Sequence, residues 1–316
     1  MRRFLPFAAF LSGLTLAYAA WPQAIQDNNA TKTQNQAGHT SSQACGKHGS
    51  YTSTCNPFGT ASKPHAIDKT CGLTGDAKSD GDKAQDQQKN NLCASAAGTP
   101  HVITIDELKT LQGDVDASGV DYGNEKHHKG PPANRADLFT KVTGNVAKEG
   151  DQVSFVGYIV EAKPGSSETV NCHCGPDALS IDVHMALADH PVKLPTVTKD
   201  KDTALCTNTF VAETIPHLRP ASLELTAIQP LVKGAKIVKI TGQLFFDGSH
   251  RPCTGPTAGS GDPARLTVWE IHPVYKIEVC SQNTLDQCQA NSANWQPTGS
   301  TKTTNGHGHK GGKKKG

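Results

Sequence analysis

The sequence has few aromatic residues and, after its first twenty residues, no long apolar run. Aromatic residues make up 5% and hydrophobic residues 35% of the 316 residues, so the apolar residues must be concentrated in one part of the chain. A membrane-spanning helix needs roughly 20 apolar residues. Because no later run is that long, we expect the mature chain to be soluble. The net charge of +2 creates no overall field that attracts a polyanion.

Several catalytic and cofactor motifs are also absent. No Cys-x-x-Cys occurs, which argues against a thioredoxin-like redox motif and against haem attachment. The sequence also lacks His-Glu-x-x-His, Gly-x-Ser-x-Gly and a phosphate-binding Gly-rich loop before a helix. We assign no catalytic triad, and the sequence leaves enzymatic activity open.

Residues 1–19 have the three parts of a cleavable signal peptide. Arg2 and Arg3 are basic, residues 4–16 are apolar, and residues 17–19 form a small-residue cleavage site. The apolar run is too short to cross a bilayer, which disfavours a membrane anchor. The sequence therefore predicts export, to the periplasm or out of the cell.

Ten cysteines in an exported chain predict disulfides before metal ligands or catalytic thiols. One residue separates Cys172 from Cys174, which is tighter than the usual zinc spacing, so we expect disulfides there, with Cys206 as a candidate partner. We expect the last three cysteines to tie the closing strand to its preceding loop. The disulfide candidates are Cys45, Cys55, Cys71, Cys93, Cys172, Cys174, Cys206, Cys253, Cys280 and Cys288.

Composition divides the rest of the chain into four parts. Residues 20–100 are polar and of low complexity, and their four cysteines predict a loop-rich arm held by disulfides. Residues 101–149 contain a short helix and a loop, and Thr104 and Glu107 have the spacing of a capping box. Residues 150–290 carry the strand patterns, and residues 291–316 form a Gly/His/Lys tail that we expect to be disordered.

Five strand patterns and one helical pattern predict the fold. The strand patterns cover residues 150–165, 178–187, 207–215, 236–246 and 265–280, with a helix around residues 225–232. Gly157 lies inside the first pattern, where a small barrel needs a bulge or strong coiling. The order β-β-β-α-β-β predicts a mainly β fold with an OB-like five-stranded barrel. An open β-sandwich or α+β sheet is the alternative.

A set of long motifs runs through residues 90–290. They are GDQVSFVGYIVEAKPG, NCHCG, IDVHMAL, VAETIPHLRP, KITGQLFFDGSHRPC and RLTVWEIHPVYKIEVC. With these motifs the chain resembles an uncharacterised family of exported bacterial proteins. The resemblance implies a bacterial origin, export and the OB-like β domain, and it implies no activity.

Five polar residues are candidates for a shared site. Asp182 and His184 are two residues apart on one strand pattern, Glu270 and His272 repeat that spacing on another, and Glu213 lies on a third. Because these strands lie close together in an OB barrel, the side chains could bind a divalent cation and activate water. The competing interpretation is that they are ordinary hydrogen-bonded strand residues. We expect no other cofactor.

Aromatic residues suggest a second kind of site. Trp269, Tyr158 and Tyr275 are candidates for stacking on bases or sugars, with Arg251 and Arg265 among the candidates for phosphate contacts. The competing interpretation places these rings in the core. The tail could contact anionic surfaces or bind metal through its Gly-His-Gly-His segment, although a solubilising role is favoured.

The favoured function is an exported binding module for a polymer, such as nucleic acid or polysaccharide, or for a protein partner. The alternative is a metal-dependent hydrolase, such as a nuclease, built on the five polar residues. A purely structural envelope protein is the third hypothesis.

Overall fold

The computed structural model describes residues 46–96, 98–124, 128–136, 147–175, 177–255, 258–259 and 261–298. The described residues all belong to one compact unit. The predicted signal peptide, Cys45 and residues 299–316 of the predicted tail lie outside the described residues. Across the described part of the chain, the helices are too short or too polar to cross a membrane.

The secondary structure within the described residues is mainly β. The strands are β1 (His101–Val102), β2 (Gln152–Pro164), β3 (Val183–Ala188), β4 (Phe210–Thr214), β5 (Ile237–Phe246), β6 (Trp269–Cys280) and β7 (Trp295–Pro297). The α-helices that lie wholly within the described residues are α1 (Asp80–Lys89), α2 (Ile105–Ser118), α3 (Thr198–Asn208) and α4 (Leu225–Lys233). Short 3-10 turns cover Gly59–Ala61, Ala66–Lys69, Thr169–Asn171, Ala221–Leu223 and Leu285–Cys288.

Strands β2 to β6 close into the predicted OB-like barrel. The strand order is β2-β3-β4-β6-β5, and β5 pairs back onto β2. Neighbouring barrel strands are antiparallel except β4 and β6, which run parallel. Helix α4 lies between the third and fourth barrel strands in the chain, as the β-β-β-α-β-β pattern predicts.

The barrel interior is filled by alternate side chains of its strands. On β3, Val183, Met185 and Leu187 are in the core, as the alternation of the sequence predicts. The predicted strand is too long at its start, because β3 begins at Val183 and Leu179 is 39% exposed. The apolar side of α2 packs against the same core through Leu108, Leu111 and Val115.

Helix α2 begins with the predicted capping box. Thr104 Oγ1 accepts a hydrogen bond from Glu107 N at 3.2 Å, and Glu107 Oε2 accepts one from Thr104 N at 2.7 Å. These two bonds satisfy backbone donors that the first helical turn leaves without helical partners.

We expect Thr104→Ala to lower the free energy of unfolding by about 1 kcal/mol, because the side-chain cap is lost. Urea unfolding of the purified chain measures this. The matched control is Thr110→Ala, since the Thr110 hydroxyl bonds only to Asp106 O inside the same helix. An equal loss in both variants would contradict a capping role for Thr104.

Residues 46–96, which we call the arm, pack on the outer surface of the barrel. Tyr51 and Leu92 form a buried cluster with Ile215 and Tyr275 of the barrel. The arm contains α1, which the sequence patterns did not predict. The sequence of α1, DGDKAQDQQK, has no apolar stripe, and this helix buries polar side chains such as Gln85 and Lys89. Hydrophobic periodicity therefore could not predict helix α1.

Within the described residues, four disulfides connect the chain, and Cys174 is also disulfide-bonded. The four pairs are Cys55–Cys93, Cys71–Cys172, Cys206–Cys253 and Cys280–Cys288. The prediction that Cys206 pairs near residue 172 is wrong, because α3 carries Cys206 to the loop of Cys253. We also predicted that the last three cysteines tie the closing strand to its preceding loop. This prediction is wrong, because Cys280 at the end of β6 bonds to Cys288 in the segment that follows the strand.

Candidate functional site

The outer face of β3, β4 and β6 carries polar side chains beneath the arm. His184 on β3 lies opposite Glu213 on β4, and Ala212 pairs with Ile271 of the parallel strand β6. Since successive strand residues alternate sides, the neighbours of Ala212 and Ile271 point away from the core. The structure thus brings together the five polar residues proposed from the sequence. We call them the polar cluster: Asp182, His184, Glu213, Glu270 and His272.

Glu213 is the centre of the polar cluster. Its Oε2 atom lies 3.4 Å from His184 Nε2 and 3.1 Å from His272 Nδ1. His272 Nδ1 is also 3.6 Å from Glu270 Oε2. Nitrogen and oxygen atoms that can ligate a cation therefore face one another from three adjacent strands.

The polar cluster is buried, and several of its atoms have no hydrogen bond. All five residues are at most 4% exposed. The contacts of Glu213 with the two histidines, and of His272 with Glu270, are ionic and do not have hydrogen-bond geometry. Burying such atoms without a partner is unfavourable, and buried polar groups in proteins are nearly always satisfied. The atoms without a hydrogen bond are Asp182 Oδ1, His184 Nε2, Glu213 Oε2, Glu270 Oε2, His272 Nδ1 and His272 Nε2.

Charged residues from other segments surround the polar cluster. Lys89 Nζ, from the end of α1, lies 2.9 Å from Glu168 Oε2. The fully buried Arg265 guanidinium contacts Glu270, and its Nη1 atom lies 3.0 Å from Asp247 Oδ2. His250 contacts Asp247 and is a third cation, because this carboxylate raises the pKa of His250. With the cluster histidines neutral, the three acids of the cluster together with Glu168 and Asp247 exceed Lys89, Arg265 and His250 by two negative charges. Such an excess inside a protein requires protons or bound cations.

The pKa shifts show where protons are held when no cation is bound. Burial by itself lowers the pKa of His272, but the adjacent Glu213 carboxylate outweighs burial and raises that pKa to about 10. Burial raises the pKa of Asp182 and of Glu270. Burial also opposes ionisation of Glu213, yet His184 and His272 hold its pKa well below the usual range. Glu213 is therefore the permanent anion of the cluster.

The three aromatic candidates for stacking do not form an exposed surface. Trp269 is in the barrel core against Phe246, Tyr158 packs beside Ile237, and the Tyr275 hydroxyl lies under the arm, donating to Asn91 O at 2.8 Å. All three are at most 9% exposed, so none presents a ring face to a base or sugar. The arginines proposed for phosphate contacts, Arg251 and Arg265, are likewise buried.

The sequence analysis missed three charged residues of the site, Lys89, Glu168 and Asp247, and it proposed the fourth, Arg265, only for phosphate contacts. Asp247 and Arg265 lie within the long motifs that carry the resemblance, at the edges of strand patterns, and this position is the signal that could have identified them. Lys89 and Glu168 lie in polar segments without periodicity, and only the packing of the arm brings them to the cluster.

Asp86 lies on the same helix as Lys89 and is a buried acid, so its titration reports on the packing of α1. Burial raises the pKa of Asp86 from 3.8 to about 7. Between pH 4 and 7 the folded state therefore holds a proton that the unfolded chain has released, so stability falls as the pH rises through this window.

We expect Asp86→Asn to raise the free energy of unfolding at pH 8 by about 2 kcal/mol, less than the full shift because the amide must still be buried. At pH 4 the gain should nearly vanish. Urea unfolding of both proteins at the two pH values measures the difference. A gain independent of pH would show that Asp86 does not titrate as expected.

A scan against protein-family models and searches of curated proteins and of solved structures gave no match to this chain. Because a fold alone does not define a function, the polar cluster is the feature from which a function can be inferred.

Proposed function

We propose that this chain is an exported protein that binds a divalent transition-metal cation in the polar cluster. One observation carries the proposal: Glu213 Oε2 lies 3.4 Å from His184 Nε2 and 3.1 Å from His272 Nδ1, and none of these three buried ligand atoms has a hydrogen bond. Metal–ligand bonds of 2.0–2.2 Å place two ligands of one ion about 3 to 3.5 Å apart. A cation would satisfy the unpaired atoms and offset the buried negative charge.

The donor set favours certain cations. Two imidazoles and three carboxylates provide nitrogen and oxygen donors, and the described cysteines are all in disulfides, so no thiolate is present. Mixed imidazole and carboxylate ligands suit Zn²⁺, Mn²⁺ and Fe²⁺ better than Cu⁺, which prefers sulfur. The disulfides support the predicted export to the periplasm or beyond, because such bonds persist in oxidising compartments.

Metal-dependent hydrolysis is the second candidate function. Each of the two ligand groups in the cluster has three protein residues, the number typical of catalytic sites that keep a position for water. Glu168, with 21% of its side chain exposed, connects the cluster to solvent. We place cation binding first because the arm covers the cluster. Recognition of a polymer stays a prediction, and the rings on which it relied are buried.

Metal analysis of the purified mature chain tests the proposal. The tail contains His307 and His309, so all variants carry His307→Ala and His309→Ala to remove those imidazoles. After chelation and dialysis, we expect Zn²⁺ to bind with at least one ion per chain in isothermal titration calorimetry. The double variant His184→Ala with His272→Ala should lower the affinity at least about 100-fold, since it removes both imidazole ligands.

The matched control is His190→Ala, which removes an exposed histidine just after β3. It should bind Zn²⁺ as the parent does, and circular dichroism should show the same fold in both histidine variants. Absence of binding in the parent chain, or equal affinity in the double variant and in His190→Ala, would overturn the proposal.

A further inference from the structure

Glu213 belongs to two groups of candidate ligands. One group consists of Asp182, His184 and Glu213, and the other of Glu213, Glu270 and His272. Strand β4 lies between β3 and β6 in the sheet, so the Glu213 side chain projects between the ligands of its two neighbours. The central carboxylate thus faces one histidine on each side.

The two groups are too far apart to surround a single ion. Within each group the ligand atoms lie within 4.8 Å of one another, but His184 and His272 do not share a group. Two ligands of one ion at 2.0–2.2 Å can be at most about 4.4 Å apart. A single cation in this geometry would leave the ligands of one side unpaired.

We infer that the polar cluster takes two divalent cations bridged by the Glu213 carboxylate. This inference rests on the proposed function and adds the number of ions and their common ligand. The first cation is held by Asp182 and His184, the second by Glu270 and His272. Each ion receives two carboxylates and one imidazole, and separations of about 3.5–4 Å are usual in two-metal sites.

Manganese distinguishes the possible outcomes, because Mn²⁺ ions that share a carboxylate couple magnetically. The chain with His307→Ala and His309→Ala is loaded with Mn²⁺, passed through a desalting column and measured by elemental analysis and electron paramagnetic resonance. We expect two ions per chain and an exchange-coupled spectrum. The variant Glu270→Gln with His272→Ala should retain one ion with the six-line spectrum of isolated Mn²⁺, and His190→Ala should retain two coupled ions.

One ion per chain with a six-line spectrum would overturn the pair of cations and leave the proposed function standing. Two ions without coupling would overturn the bridge through Glu213. Binding of neither Mn²⁺ nor Zn²⁺ would overturn the inference together with the proposed function. Because the first readout uses unaltered cluster residues, a variant that fails to fold does not affect it.

Discussion

Replacing Cys71 and Cys172 with serine should lower the free energy of unfolding by about 4 to 5 kcal/mol. This disulfide joins the arm to the segment after β2 and spans 101 residues of sequence. A long closed loop restricts the unfolded chain more than a short one, so its loss gives the unfolded state more entropy. The unfolding transition in guanidinium chloride, measured without reductant, gives the difference.

The control is the double variant Cys280→Ser with Cys288→Ser, whose disulfide spans only 8 residues. We expect a loss of about 2.5 kcal/mol there, from the same dependence on loop length. Equal losses in the two double variants would show that chain entropy is not the main contribution of the Cys71–Cys172 bond. The arm would then be held mainly by its contacts with the barrel.

Replacing Arg265 with methionine should destabilise the metal-free protein by about 3 to 5 kcal/mol. The guanidinium is fully buried between Asp247 and Glu270, and its removal leaves Glu270 without its closest cation and Asp247 with His250 alone. An unpaired buried charge is far more unfavourable than the loss of an exposed ion pair. Urea unfolding in the presence of a chelator, at pH 8, measures the effect.

Two controls accompany Arg265→Met. Lys109→Ala removes an exposed pair with Asp106 and should cost less than about 1 kcal/mol. Adding Asp247→Asn and Glu270→Gln to Arg265→Met should recover much of the loss, since the buried charges are removed. The loss should also be smaller at pH 5, where the carboxyl groups take up protons more readily. A loss as small as that of Lys109→Ala would mean that the buried carboxyls do not depend on Arg265.

The arm changes how the OB-like barrel can be used. Nucleic-acid recognition by such barrels depends on exposed aromatic and basic side chains, whereas here the outer face of β3, β4 and β6 is covered. Tyr51 stacks on His217 at 4.1 Å between ring centroids, and Asn91 donates to Gln243 on β5. These contacts hold the arm over the polar side chains and separate them from solvent. Electrostatic interactions there are stronger than in water. A covered, polar site of this kind favours the proposed small cation over a polymer as the ligand.

The barrel was predictable because its signal is local and repeated. Val183, Met185 and Leu187 alternate with residues that face away from the core, and this period of two specifies a strand wherever one face is buried. The convergence of His184, Glu213 and His272 followed from the strand order of the OB fold. The disulfide of Cys206 was not predictable, because pairing depends on where α3 and the loop of Cys253 meet in space.

By itself the sequence determined the barrel, its helix and the sides of the strands on which the polar residues lie, because periodicity is a property of neighbouring residues. Only the tertiary structure decided that these polar residues are buried. The arm, whose sequence lacks any apolar period, packs over them and adds Lys89 to their surroundings. The burial and the net charge of a site depend on segments that are distant in the chain. A local sequence pattern therefore cannot predict them.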